Sequence, residues 1–275
     1  MREQHSLLNS DRLSVVMAMI MLAFGLTRII PISSNAISFQ ILGINFDILL
    51  NMRTVMAIMT GFLAAFGSDW IIKEHPTSRN TKGKWYLSIQ NWIVPVFTSF
   101  VISITLNQMF AGLSWWIIFG LGSILLLLIF IAQYTINDIS ETNHPFASVA
   151  LTAITFALFL ILAIAMKASG LRLYVILIAL VLAAGFVCLR TFYIRLNGGW
   201  VLLWSILVII MTGQITVGFY YLPLSPLQFG LFTTGSLYIL ISLIIGIKEE
   251  RKLTGILAEP ISMLLITLTM GLLVG

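Results

Sequence analysis

Charge is scarce in this sequence: Asp, Glu, Lys and Arg together make up 9% of the chain. Soluble domains carry about 25%, so most side chains here must face lipid or each other. Cysteine is scarcer still. A lone Cys188 inside an apolar run cannot form an internal disulfide, reads as an inert buried thiol and leaves the redox compartment open. The three histidines, His5, His75 and His144, fall in the N-terminal tail and in loops, none on an apolar run. Neither a Gly-x-Ser-x-Gly nor a His-Glu-x-x-His motif occurs, so the common nucleophile and zinc signatures are missing. No long polar stretch leaves room for a second, soluble domain.

What is present is apolar. Hydrophobic residues make up 59% of the 275 residues, and the mean hydropathy is +1.04. That implies several spans of about 20 residues each. The sequence pI of about 9.5 invites a nucleic-acid reading, but the basic residues sit in short loops between apolar runs. That pattern is an orientation signal, not a binding stripe.

The chain is organised around the run NMRTVMAIMTGFLAAFGSDWIIKEHP, residues 51–76. Gly61, Ala64, Ala65 and Gly67 give this segment small faces that allow close approach of another helix. Arg53 and Asp69 stand at its two ends, about 24 Å apart at about 1.5 Å per residue. Each therefore sits near one edge of a hydrocarbon core of about 30 Å, where it snorkels or pairs without any functional role.

Ahead of it, residues 37–48 (ISFQILGINFDI) alternate apolar and polar on both sides of Leu42-Gly43. Folding about that turn pairs Phe39 with Phe46, Ile37 with Ile48, Gln40 with Asn45 and Ser38 with Asp47. The polarity matches across every pair, which favours a β-hairpin over a hydrophobic linker. Gly at the second turn position suits type II better than the primed types.

The remaining apolar runs place spans at 13–30, 52–72, 91–110, 115–134, 146–166, 173–193, 200–220, 228–247 and 256–275. A cleavable signal peptide is the competing reading of the first. The cleavage-like Ser34-x-Ala36 lies too far from the apolar run, however, and Arg28 intervenes. Pro95 falls early in the third span, where a missing amide costs least. The expected fold is thus an all-α polytopic membrane protein. It forms one membrane domain of about nine transmembrane helices, with a short extracytoplasmic hairpin at 37–48. The last span is the least secure, because it ends flush with the C-terminus.

Nine spans with the N-terminus inside give the cytoplasmic side Arg2, Arg12, Lys73, Arg79, Lys82, Lys84, Arg190, Arg195, Lys248, Arg251 and Lys252. The outside receives Arg28, Arg53, Lys167 and Arg172. This positive-inside bias predicts a plasma (inner) membrane protein with a cytoplasmic N-terminus and an extracytoplasmic C-terminus. An internal echo, Arg53 before Ala64-Ala65 and Arg172 before Ala183-Ala184, hints at parallel four-span units but reads better as coincidence.

Few residues suggest a site. Asp138, Glu141 and His144 in the acidic loop tempt a metal reading, but without a fourth ligand or a tight spacing they read as a solvated connector. The expected polar cluster is Asp69 with Arg190 and Arg195 at the cytoplasmic rim, an ion pair tying two parts of the bundle. Gln214, Asn107 and Gln108 are the candidates for an intramembrane polar site. No span carries a charge at mid-depth, which argues against proton or sodium coupling. No catalytic residue, metal or cofactor is predicted. The expected partners are the bilayer and other membrane proteins, not nucleic acid.

The FQILGINFDILL segment followed by Asn51, Arg53, Thr54, Asp69, Trp70, His75 and Pro76 resembles an uncharacterised family of bacterial polytopic membrane proteins. In that family an extracytoplasmic strand pair leads into an Asn-x-Arg-Thr helix ending in Asp-Trp and His-Pro. The resemblance covers about residues 37–76 and implies a bacterial inner membrane but no chemistry. The leading functional expectation is a non-catalytic accessory, assembly or scaffold protein. A transporter or permease for a small solute or lipid is the alternative. A membrane-embedded transferase or protease, using Asp69 with His75 or the acidic loop, comes last.

Overall fold

The computed structural model describes the backbone at residues 10–29, 35–41, 44–50, 52–72, 85–108, 112–136, 144–196 and 201–274. Side chains are described at 10–26, 55, 57–72, 90–108, 112–136, 145–196, 201–252 and 254–274. His5, His75, the Lys-rich loop, the Leu42-Gly43 turn, Asp138, Glu141 and the side chain of His144 lie outside the described residues.

Two compact units divide the chain, residues 1–147 and 148–275. The boundary falls in the first turn of the fifth helix, so it does not follow the Arg and Ala-Ala echo.

The first unit holds α1 (Ser10–Ile29), β1 (Asn35–Ile41), β2 (Ile44–Leu50), α2 (Met52–Ile72), α3 (Trp85–Gln108) and α4 (Leu113–Ile136). The strands pair antiparallel, Phe39 opposite Phe46 and Ile41 opposite Ile44, and the ladder runs out to Asn35 opposite Leu50. Small residues set the helix spacing. Gly67 of α2 receives Val16 of α1, and a β-carbon on Gly61 would stand 3.7 Å from Val96 of α3. Around these contacts Val16, Ile20, Phe24, Ala64, Ile102, Leu126 and Phe130 close a dry core.

Pro95 does not sit near the start of its helix. Because α3 begins at Trp85, Pro95 is interior, where it withholds the amide that would have bonded the carbonyl four residues back. That carbonyl belongs to Asn91, and buried Gln133 of α4 donates Nε2 to it at 3.1 Å. A side chain from the neighbouring helix thus replaces the missing backbone bond and clamps α3 to α4.

The second unit holds α5 (His144–Ala168), α6 (Leu173–Arg195), α7 (Leu202–Tyr221), α8 (Pro226–Lys248) and α9 (Leu253–Leu273). α8 is its hub. A β-carbon on Gly230 would meet Ile164 of α5 at 2.5 Å, one on Gly246 would meet the Ile256 backbone of α9 at 3.3 Å, and Gly235 receives Thr267 of α9. Only glycine permits such approach, as expected of helices packed without a hydrophobic drive. Ser225 caps α8 in a capping box with Gln228, and Pro226 follows at the first helical position.

The expected bundle of about nine spans is corrected. Among the described residues there are nine helices, and six are long and apolar enough to cross a membrane: 113–136, 145–168, 173–195, 202–221, 226–248 and 254–273. α2 contributes a shorter apolar stretch, Ala57–Ile72. The difference lies in the first three helices. There the side chains are described only at 10–26, 55, 57–72 and 90–108. The paired strands, 35–41 and 44–50, extend two residues further at each outer end than the expected 37–48.

Candidate functional site

Consecutive helices of the second unit joined by short turns run antiparallel, so their ends gather in two groups. One group collects the α5 C-terminus, the α6 N-terminus, the turn at 222–225 and the α9 C-terminus. Lys167 Nζ donates to the Tyr220 carbonyl at 3.0 Å and lies 4.5 Å from the Tyr220 ring centroid and 5.2 Å from that of Phe229. Tyr220 donates its hydroxyl to the Leu171 carbonyl at 3.3 Å. Gln228 Nε2 donates to the Gly271 carbonyl at 3.0 Å, closing α8 on α9. Orphan helix-end carbonyls are thereby taken up by side chains.

The opposite end is built differently. Thr152 and Phe156 of α5, Thr191 and Arg195 of α6, Tyr238, Ile241, Ser242 and Ile245 of α8, and Glu259 of α9 line a recess. Its volume is about 10 Å³, room for about one water, and it is partly open to the exterior. Helical spacing explains the membership. Thr152 and Phe156, Thr191 and Arg195, and Tyr238 and Ser242 are each four residues apart, so each pair shares a helix face. Phe156 meets Tyr238 edge-on, with centroids 5.3 Å apart at 63°, which fixes the phenol at the wall.

Glu259 is the anchor of this end. Ser242 Oγ donates to its Oε2 at 2.8 Å, and Arg251 Nη1 donates to its Oε1 at 3.2 Å. Arg251 also donates Nε to Glu249 Oε2 at 2.6 Å, and these two carboxylates, Glu249 first, hold the exposed guanidinium more firmly protonated than usual. The turn beneath is strained. Glu250 adopts φ 52° where glycine is the common choice, and Arg251 N–H closes on the Gly246 carbonyl at 3.1 Å.

Two groups in the recess are not spent this way. Arg195 acts on Glu259 through space but makes no hydrogen bond to a described residue. Thr191 is 2% exposed, and its Oγ1 has no hydrogen-bond partner among the described residues. Most helical Ser and Thr here bond their own helix instead, as Thr216 does to Thr212 and Thr233 to Phe229.

Of the residues expected from sequence, Arg190 and Arg195 both lie in the last two turns of α6. Arg190 is 1% exposed and Arg195 is at the recess mouth. Asp69 is half-buried at the end of α2, in the first unit, where Arg12 lies 5.0 Å from the neighbouring Trp70 ring. Gln214 is exposed on α7, Asn107 is half-buried and Gln108 exposed at the end of α3. Those three do not form one site within either unit. Thr191, Tyr238, Ser242 and Glu259 were missed. The four-residue spacing of Thr191 to Arg195 and of Tyr238 to Ser242 was the available signal. No group of three or more His, Cys, Asp and Glu that could hold a metal occurs among the described residues.

Residues 32–274 match the model of an uncharacterised family, described as Protein of unknown function (DUF5656), and the chain belongs to that family. The match runs far beyond the 37–76 stretch that carried the resemblance. Neither a curated protein nor a solved structure matches.

Proposed function

We propose that this family member is a multi-pass protein of a bacterial inner membrane that works as an accessory, assembly or scaffold component without catalysis of its own. The six long apolar helices support membrane residence. The gathering of basic residues on alternate loops supports an N-terminus in the cytoplasm.

The observation that carries the non-catalytic reading is how charge is used. Both oxygens of Glu259 are taken by Ser242 and Arg251, Lys167 is folded over Tyr220 and Phe229, and Arg12 over Trp70. These groups act as struts between helices. A general acid or base needs a proton site facing a substrate, which a carboxylate held by two donors does not offer. Broad apolar faces on α4, α7 and α9, with Leu121, Leu203 and Leu265 exposed, are available to lipid or to partner helices.

Transport of a small solute or lipid is the second reading, and the buried Ser and Thr side chains within the apolar helices, Thr191, Thr212 and Thr234 among them, favour it. Gentle extraction of tagged protein at native expression separates the two. Stoichiometric protein partners support the accessory role. A lone protein that moves a labelled solute or lipid across vesicles contradicts it.

A further inference from the structure

We propose that α7 is a self-association surface, along which two copies of this chain meet in the membrane with Gln214 at the centre of the contact. The proposal goes beyond the accessory role but rests on membrane residence.

An amide exposed deep in an apolar helix carries it. Leu203, Leu207, Ile210, Gln214 and Gly218 follow one another at steps of three and four residues, so they share one face of α7, and all five are exposed. Gln214 is the thirteenth of the 20 residues of the helix. That puts it about 4 Å from the helix midpoint at about 1.5 Å per residue, far from either edge of a hydrocarbon core of about 30 Å. Its side chain makes no hydrogen bond to a described residue. Ser262 and Thr269 of α9 are exposed too, but each hydroxyl bonds a carbonyl of its own helix. The hydroxyls on α7 itself, of Ser205, Thr212 and Thr216, belong to buried residues. Lipid tails offer an amide nothing, and polar side chains within a span ordinarily turn toward protein.

A second copy is the occupant that fits. A glutamine amide both donates and accepts, so it is complementary to itself. Copies threaded the same way and related by a two-fold axis along the membrane normal bring equal residues to equal depth. Gln214 then faces Gln214, each donating to the other's carbonyl, a kind of bond that joins helices in membranes. Gly218, one turn further on, leaves room for the approach. A β-carbon there would meet nothing within 4 Å, whereas one on Gly213, on the buried side of the same helix, would stand 3.2 Å from Val181. The exposed face of α4, with Leu121, Ile124 and Leu128, presents no such amide, and lipid satisfies it.

The test uses the full-length protein in native membranes, in a Cys188→Ala background that removes the single native thiol. Copper-phenanthroline oxidation of Ile210→Cys or Leu207→Cys is expected to give a disulfide-linked species of twice the chain's mass. Leu265→Cys, near the middle of the exposed face of α9, is expected to give far less. Gln214→Leu is expected to weaken association about tenfold, read by energy transfer between labelled copies as detergent is added. Gln214→Asn is expected to keep part of the association. Because the position is exposed, Gln214→Leu leaves the dissociated protein folded, with Tm at or above wild type. No doubled species at either α7 position, equal linkage at Leu265→Cys, or wild-type association of Gln214→Leu overturns the proposal. A linked species of any other mass overturns the second copy and gives the face to a different protein. Carbonate washing of membranes separates this from the premise: protein released by the wash refutes membrane residence itself, whereas retained protein that stays monomeric refutes only the interface.

Discussion

The two ends of the second unit solve the same problem in opposite ways. At the Lys167 end, one ammonium and one amide reach two helix-end carbonyls, one phenol reaches the Leu171 carbonyl in the turn before α6, and an aromatic pair covers the cation. Every one of these groups is consumed by structure. At the Arg195 end the carboxylate is consumed, but a guanidinium and a buried hydroxyl are left over around an open recess. Helix ends must satisfy their orphan groups, so a closed end is the expected product of folding alone.

Breaking the closed design produces the largest effects. The clearest case is its counterpart in the first unit, where Gln133 replaces the amide lost at Pro95. Gln133→Leu strands the Asn91 carbonyl and is expected to cost about 2 kcal/mol. In a Pro95→Ala background the helix supplies its own amide, and the same change is expected to cost clearly less. A double-mutant cycle read by thermal unfolding checks this; equal costs in both backgrounds sink the account of the clamp.

Lys167→Met comes next. It removes a donor to the Tyr220 carbonyl and the contacts with two rings, and is expected to cost about 1–2 kcal/mol in detergent. A variant indistinguishable from wild type shows the end is not closed by that lysine.

The smallest effect has the opposite sign. Glu250 sits at φ 52° in the turn below Glu259, so Glu250→Gly is expected to stabilise by about 0.5–1 kcal/mol. A loss of stability means that the Glu250 side chain makes contacts worth more than the strain.

Helix positions were largely legible before the structure. The second helix runs Met52–Ile72 as its apolar stretch implied, and α6 starts at Leu173. The miss at α3 has a physical origin. The expected span began at residue 91, yet the helix begins at Trp85, and six extra residues moved Pro95 from a tolerant position to a costly one. Of the nine expected spans, six are met by helices long and apolar enough to cross among the described residues.

The recess was half legible. Arg195 stood out as a charge at a helix end, whereas Thr191 did not: helical Ser and Thr hydroxyls commonly bond their own helix, and only packing decides that those of Ser99, Thr191, Thr212 and Thr234 do not. Glu259 was visible at the start of the last apolar run. Its role as a strut needed the α8–α9 contact through Gly246, which no local pattern announces.

The most direct test of this contrast is thermal unfolding in detergent of wild type, Lys167→Met and Thr191→Val. The account predicts that Lys167→Met lowers Tm clearly and that Thr191→Val leaves it at or above wild type, because only the first removes a group consumed by structure. A Thr191→Val variant as destabilised as Lys167→Met contradicts it.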